Sequence, residues 1–239
     1  MNKIYEVKAE EIKSLAVSLL LKANIQLSEG MKQLVRNARE AEKMPLAREI
    51  LADLAKNAEL AEEKQLPMCQ DCGLAVIFAE IGQDVHITGG DITETLNEAV
   101  KEAYEKGFLR KSVDLDPLFN RENSGDNTPA VIHCSIVPGS SVKITVSPKG
   151  MGSENMSRLF MLKPSDGIEG VLNAVTETVE RAGANPCPPI VLGIGIGGNF
   201  ETAPLLAKKA LFRKIGESNK DMRYAELEKK ILARVNSLN

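Results

Sequence analysis

Seven residues, Pro67-Met68-Cys69-Gln70-Asp71-Cys72-Gly73, hold the densest chemistry in the chain. They offer two thiols, a carboxylate, an amide and a glycine able to take a sharp turn. Cys69-x-x-Cys72 has three local readings. It could be half of a zinc site, although no second Cys-x-x-Cys or His-x-x-x-His completes a tetrahedron. It could be a dithiol redox pair, although no βαβ unit surrounds it. It could give one thiolate to an iron–sulfur cluster whose other ligands lie far along the chain. Structurally inert thiols stay open beside these, because free cysteine is often simply buried. Cys187 is the most informative distant thiol, since Pro186 and Pro188 confine its backbone. Cys134, His86 and His133 fall in strand-like runs and read as structural residues.

The elements that must position these groups follow from periodicity. Residues 5–64 read as helical, with Ser28 as an N-cap and Pro45 in the first turn of a third helix. Leu74–Ile81 reads as a buried strand and Val85–Thr88 as a second. Asp91 caps a helix that runs to about Gly107. Residues 109–128 are rich in turn formers and form a long loop, a length that usually marks function or disorder. Ala130–Ile136 and Val142–Val146 read as an antiparallel hairpin through Pro138-Gly139-Ser140. Pro148–Asn155, with Lys149, Gly150 and Gly152, has accessible backbone N–H groups that can hold an anion, a mobile surface loop being the equal alternative. A helix from about Pro164 to Gly183, a strand Ile190-Val191-Leu192 and two further helices complete the chain. Gly193 to Gly198 only superficially matches a dinucleotide loop, because no second βαβ half accompanies it. The expected class is α+β (mixed α/β): an N-terminal helical layer over residues 1–65, packed on a mixed sheet with an antiparallel hairpin and peripheral helices in 66–239.

Composition narrows the function. The chain has 239 residues, 26% of them charged, a net charge of −3 and no tryptophan. Such a chain suits a globular protein with a real core and argues against nucleic-acid partners, which need basic or aromatic surfaces. No apolar run is long enough to span a bilayer, and the N-terminus has no signal core. The expectation is a cytoplasmic protein.

Several linked motifs resemble one family. Met68-Cys69-Gln70-Asp71-x-Gly73, Gly89-Gly90-Asp91, Gly107–Ser112, Asp116–Phe119 and Gly125–Ala130 occur in order at compatible spacing. Lys149-Gly150-x-Gly152-Ser153-Glu154-Asn155, Asn185–Pro189 and Gly193–Gly198 continue the series. Together they resemble the iron–sulfur hydro-lyases, the class I fumarate hydratases and L-tartrate dehydratases, and most closely their alpha subunit or N-terminal domain. The resemblance implies a 4Fe–4S cluster, with Cys69 and Cys187 as two of its ligands. It implies Asp71 as the catalytic acid, and Gln70, Arg110 and Gly152 as contacts to a small dicarboxylate substrate. It implies a beta subunit that supplies the base, and an oligomeric assembly. Fumarate hydration to L-malate is the expected reaction. L-tartrate dehydration and a catalytically incomplete binding module are the alternatives.

Three departures stand out. The family usually has threonine at Cys72 and glycine at Met151. Its remaining cluster cysteine lies in a C-terminal segment that should begin where this chain ends, after Leu238-Asn239. The expectation is therefore an alpha-type domain lacking that segment.

Overall fold

The computed structural model describes residues 3–238. They divide into two units. The first comprises the described residues up to Leu27 together with Asp53–Met151. The second comprises Ser28–Ala52 and the residues from Gly152 onward.

The first unit is built on strand β2 (Leu74–Gly82), an almost unbroken apolar run buried on both faces. β2 sits at the centre of a three-stranded sheet of order β4-β2-β5, with β4 at Val131–Val137 and β5 at Val142–Lys149. It pairs parallel with β4 and antiparallel with β5. The expected hairpin is therefore corrected: β4 and β5 run in opposite directions, but β2 lies between them. The Pro138–Ser141 link arches over the far end of β2. Backbone N–H groups of Gly82, Gln83 and Asp84 donate to carbonyls of Ser141, Val137 and Gly139 there. A short link can thus join two strands that are not neighbours.

Helices α1 (Ala9–Ile25) and α4 (Ile92–Lys106) lie together on one face of this sheet. Ile12, Ala16 and Leu20 of α1 meet Ala75, Ile77 and Ala79 of β2 and Leu96, Ala99, Val100 and Ala103 of α4. The 3.6-residue and 2-residue periods meet in one core, each large side chain worth roughly 1.5–3 kcal/mol of burial. Asp91 caps α4 by accepting from the N–H groups of Thr93 and Glu94. Gly107 ends it. On β4, His133 stacks on its cross-strand partner Phe78 with ring centroids 4.9 Å apart. That is the structural role expected of it.

Residues 5–8 correct a second expectation. Tyr5–Lys8 is a strand, β1, not the start of a helix; it pairs parallel with β3 (Val85–Thr88) in a separate two-stranded sheet.

In the second unit, α2 (Glu29–Ala41) starts at the expected cap, Ser28, whose hydroxyl accepts from the N–H of Met31. Helix α3 (Pro45–Lys64) begins in this unit and continues into the first. A single turn, α5 (Met151–Glu154), and a 3-10 turn at Pro164–Asp166 precede α6 (Gly167–Ala182). α7 (Thr202–Ala210) and α8 (Met222–Val235) follow. Leu172 and Val175 of α6 pack on Ile231 of α8, and Arg234 of α8 bonds to Glu169 and Asn173 of α6.

The strand expected at Ile190–Leu192 does not form. Residues 190–196 are irregular, and the glycines among them explain their course. A β-carbon at Gly193 would strike the Ala207 carbonyl of α7, and one at Gly195 would strike the Ala203 carbonyl. Alternate glycines of the run thus face carbonyls one turn apart on α7, and the backbone lies directly against the helix. Gly193 and Gly195 serve close packing against α7. The mixed α+β class holds. Among the described residues, no helix is long and apolar enough to cross a membrane.

Candidate active site

The register of the central sheet gathers the candidate residues. β2 and β4 start at the same end, and β5 finishes there, because Leu74 pairs with Lys149 and Val76 with Val131. The turn before β2 (69–73), the loop before β4 (125–130) and the residues after β5 therefore share one end of the sheet. The C-terminal end of α4 closes behind them.

The 69–73 turn is anchored on both sides. Before it, the Met68 N–H donates to the Asn24 carbonyl at 3.0 Å, and the Asn57 amide donates to the Met68 carbonyl at 2.7 Å. After it, the buried Tyr104 hydroxyl donates to the carbonyls of Cys72 and Gly73 at 3.1 and 3.2 Å. The Asn127 amide donates to the same Gly73 carbonyl at 3.1 Å. Gly73 has φ +60°, and any side chain there would collide with the Lys149 carbonyl. Only glycine lets the two backbones approach this closely while in the left-handed region.

Within the turn, Cys69 is exposed, and its sulfur accepts the N–H of Asp71 at 3.3 Å. Cys72 is its opposite. It is buried, its thiol donates to the Cys69 carbonyl at 3.4 Å, and its sulfur accepts the Arg110 N–H at 3.3 Å. Burial pushes its thiol pKa up, opposed by the Arg110 N–H bond. In the metal-free chain a buried thiol of raised pKa is less nucleophilic than an exposed one. Cys72 ties the turn to the Arg110 segment through these two bonds.

Asp71 is half-buried. Gly150 stands directly before its carboxylate: a β-carbon there would lie 2.8 Å from Oδ2. Gln70 and Arg110 are exposed. Cys69, Gln70, Asp71 and Arg110 all belong to the first unit, where the Cys72 sulfur links the last of them to the turn. Gly152 lies in α5 and opens the second unit. Cys187, also in the second unit, is exposed in an irregular stretch.

The donor chemistry of Cys69 fits one corner of an iron–sulfur cluster. An exposed thiol that receives a backbone N–H matches how such sulfurs are hydrogen-bonded when they ligate iron. The described residues assemble no group of three or more His, Cys, Asp or Glu side chains able to hold a metal ion. The fit is therefore of single ligands, not of a complete set.

Sequence reasoning gave Asn127 and Tyr104 no individual role, and placed Gly150 only in a candidate anion-holding loop and a family motif. Asn127 appeared as one turn former of a long loop and inside the Gly125–Ala130 motif, and Tyr104 lay unremarked in a helix. Their signal is burial of polar groups, which one sequence does not display.

With this geometry in view, the family model described as "Fumarate hydratase (Fumerase)" matches residues 13–239. The chain belongs to the fumarate hydratase family. A protein named "Putative L(+)-tartrate dehydratase subunit alpha" from Methanocaldococcus jannaschii is 43% identical over 233 residues, covering 95% of this chain and 81% of that protein. The Escherichia coli K12 protein named "L(+)-tartrate dehydratase subunit alpha" is 31% identical over 206 residues, covering 85% of this chain and 68% of that protein. The resemblance to the iron–sulfur hydro-lyases thus holds at family level, and the chain is the alpha-type part of a hydro-lyase.

Proposed function

We propose that this chain is the alpha subunit of a hydro-lyase that reversibly hydrates fumarate to L-malate. The observation that supports this most is the anchored turn, which presents Cys69, Gln70 and Asp71 together beside Gly150, in a chain of the fumarate hydratase family. Cys69 and Cys187 are the proposed ligands of a 4Fe–4S cluster, with the remaining ligand outside the described arrangement. When bound, the cluster supplies a Lewis acid that polarises the substrate hydroxyl.

The protein's own residues do the rest. Asp71 holds or delivers the proton at the hydroxyl that leaves as water. Its carboxylate is confined between its own turn and Gly150, so it needs little reorganisation. Gln70 orients the substrate. Arg110 pairs with a substrate carboxylate, where a planar fork suits two oxygens. Gly152 offers backbone to the same anion. A beta subunit completes the site with the base. The assembly is oligomeric and cytoplasmic.

A second reading has its own support. The relatives above carry the name L(+)-tartrate dehydratase, and tartrate dehydration uses the same acid and carboxylate contacts. The deciding experiment is anaerobic reconstitution with iron and sulfide, with and without a beta subunit, assayed on fumarate and on L-tartrate. Turnover by the pair on fumarate supports the first reading, and turnover on L-tartrate alone supports the second. Full turnover by this chain alone contradicts the split site.

A further inference from the structure

Asn127 is fully buried, at 0% exposure, and takes φ +65°, a conformation asparagine tolerates better than most residues. Its side chain is almost fully used. Oδ1 accepts the N–H groups of Ser112 and Val113 at 2.6 and 3.2 Å, and Nδ2 donates to the Gly73 carbonyl at 3.1 Å. Ser112 lies two residues after Arg110, and Gly73 two residues after Asp71. One amide therefore joins the backbone that carries the proposed carboxylate-binding arginine to the backbone that carries the proposed acid. The asparagine is itself held, since its N–H donates to the Ser124 hydroxyl at 3.1 Å and Asp126 accepts from the N–H and hydroxyl of Thr128.

We propose that Asn127 is a positioning residue that sets the spacing between Asp71 and Arg110. The inference rests on the reading of those two as substrate contacts. It goes beyond that reading by assigning their registration to a residue that does not touch substrate. An amide suits the task because it accepts on one side and donates on the other in a rigid plane.

The test uses the complete complex, with its beta subunit and reconstituted cluster. Asn127→Gly and Asn127→Asp are made alone and combined with Arg110→Ala. Steady-state constants, calorimetric affinity for the non-reacting dicarboxylate succinate, and thermal midpoints are measured. Asn127→Gly keeps access to positive φ but loses the bridge. It is expected to lower kcat/KM by about 10–100-fold and to weaken succinate binding. In the Arg110→Ala background the same change should cost no more than about 2-fold, because coupled residues do not act additively. Asn127→Asp keeps the acceptor for Ser112 and Val113 but loses the donor to Gly73. It should lower kcat while KM stays near its original value.

Multiplicative losses in the double variants would overturn the proposal, as would unchanged succinate affinity in Asn127→Gly. Failure of both single variants to fold would count against it too, since Asn127 would then be structural. If Arg110→Ala alone changes neither kcat/KM nor succinate affinity, the reading of Arg110 falls and takes the inference with it. That outcome is distinct from a multiplicative loss.

Discussion

Gly150 and Asp71 face each other so closely that a β-carbon on the glycine would lie 2.8 Å from Oδ2 of the carboxylate and 3.0 Å from its Cγ. The nearest obstacle to a side chain at 150 is thus the tip of another side chain. The Asp71 backbone carbonyl comes next at 3.1 Å, so an added methyl displaces the carboxylate from its place and presses lightly on the turn behind it.

Gly150→Ala should therefore separate stability from activity. On the proposed role of Asp71, kcat falls by about 10–100-fold, because a displacement near 1 Å costs this much in a positioned group. The thermal midpoint moves by only about 3 °C, as expected for less than about 1 kcal/mol in a domain of this size. Paired thermal scans and initial rates check both. Wild-type turnover in the variant would show that the position of Asp71 does not matter.

The cysteines should differ sharply in reactivity. Cys69, Cys134 and Cys187 are exposed, whereas Cys72 is buried; burial pushes the thiol pKa of both Cys72 and Cys134 up, so exposure is what sets Cys72 apart. Alkylation of the cluster-free chain at pH 8, followed by mass mapping, should label the exposed three within minutes. Cys72 should react only in denaturant. Rapid labelling of Cys72 in the folded chain would contradict its role as a tie between the turn and Arg110.

Much of this was readable beforehand, for identifiable reasons. Ser28, Asp91 and Gly107 mark helix ends because capping is local chemistry between neighbours in sequence. The Cys69–Asp71 cluster is legible because its groups are contiguous. Pairing is another matter. Pro138-Gly139-Ser140 looks like a hairpin turn, and nothing local shows that β2 lies between the strands it joins. The hint was in β2, whose residues are apolar on both faces as a central strand requires. Ile190–Leu192 passes for a strand, and Gly193 and Gly195 match a dinucleotide loop superficially, until α7 is seen beneath them. The bridging roles of Asn127 and Tyr104 were illegible because they lie in the burial of a polar group against a distant carbonyl.

Tyr104 gives the fold a basic limit. Burial, reinforced by the neighbouring Cys72 and Asp71, raises its phenol pKa well above the ordinary value of 10.0, and the Asn127 side chain only partly opposes this. The unfolded chain ionises first, so stability is fully present below pH 10 and is lost as pH rises toward the folded-state value. Urea midpoints across pH 8–11 should fall from about pH 10 upward, and Tyr104→Phe should remove part of that slope. An identical slope in the variant would place the limit elsewhere.

Gly195→Ala should destabilise the second unit by about 1–3 kcal/mol, because the added methyl meets a helix carbonyl rather than a movable side chain. Urea unfolding followed by circular dichroism measures this. An unchanged midpoint would mean that the run is not seated on α7 as described.

The most direct test of the central claim is the rate of fumarate loss at 240 nm under strict anaerobiosis. The iron- and sulfide-reconstituted chain is assayed with its beta subunit, and Asp71→Asn is run beside it. The account predicts turnover by the pair, none by the chain alone, and a loss of at least about 100-fold in Asp71→Asn, the scale of one general acid. Equal rates for the pair with and without the Asp71 carboxylate would contradict it.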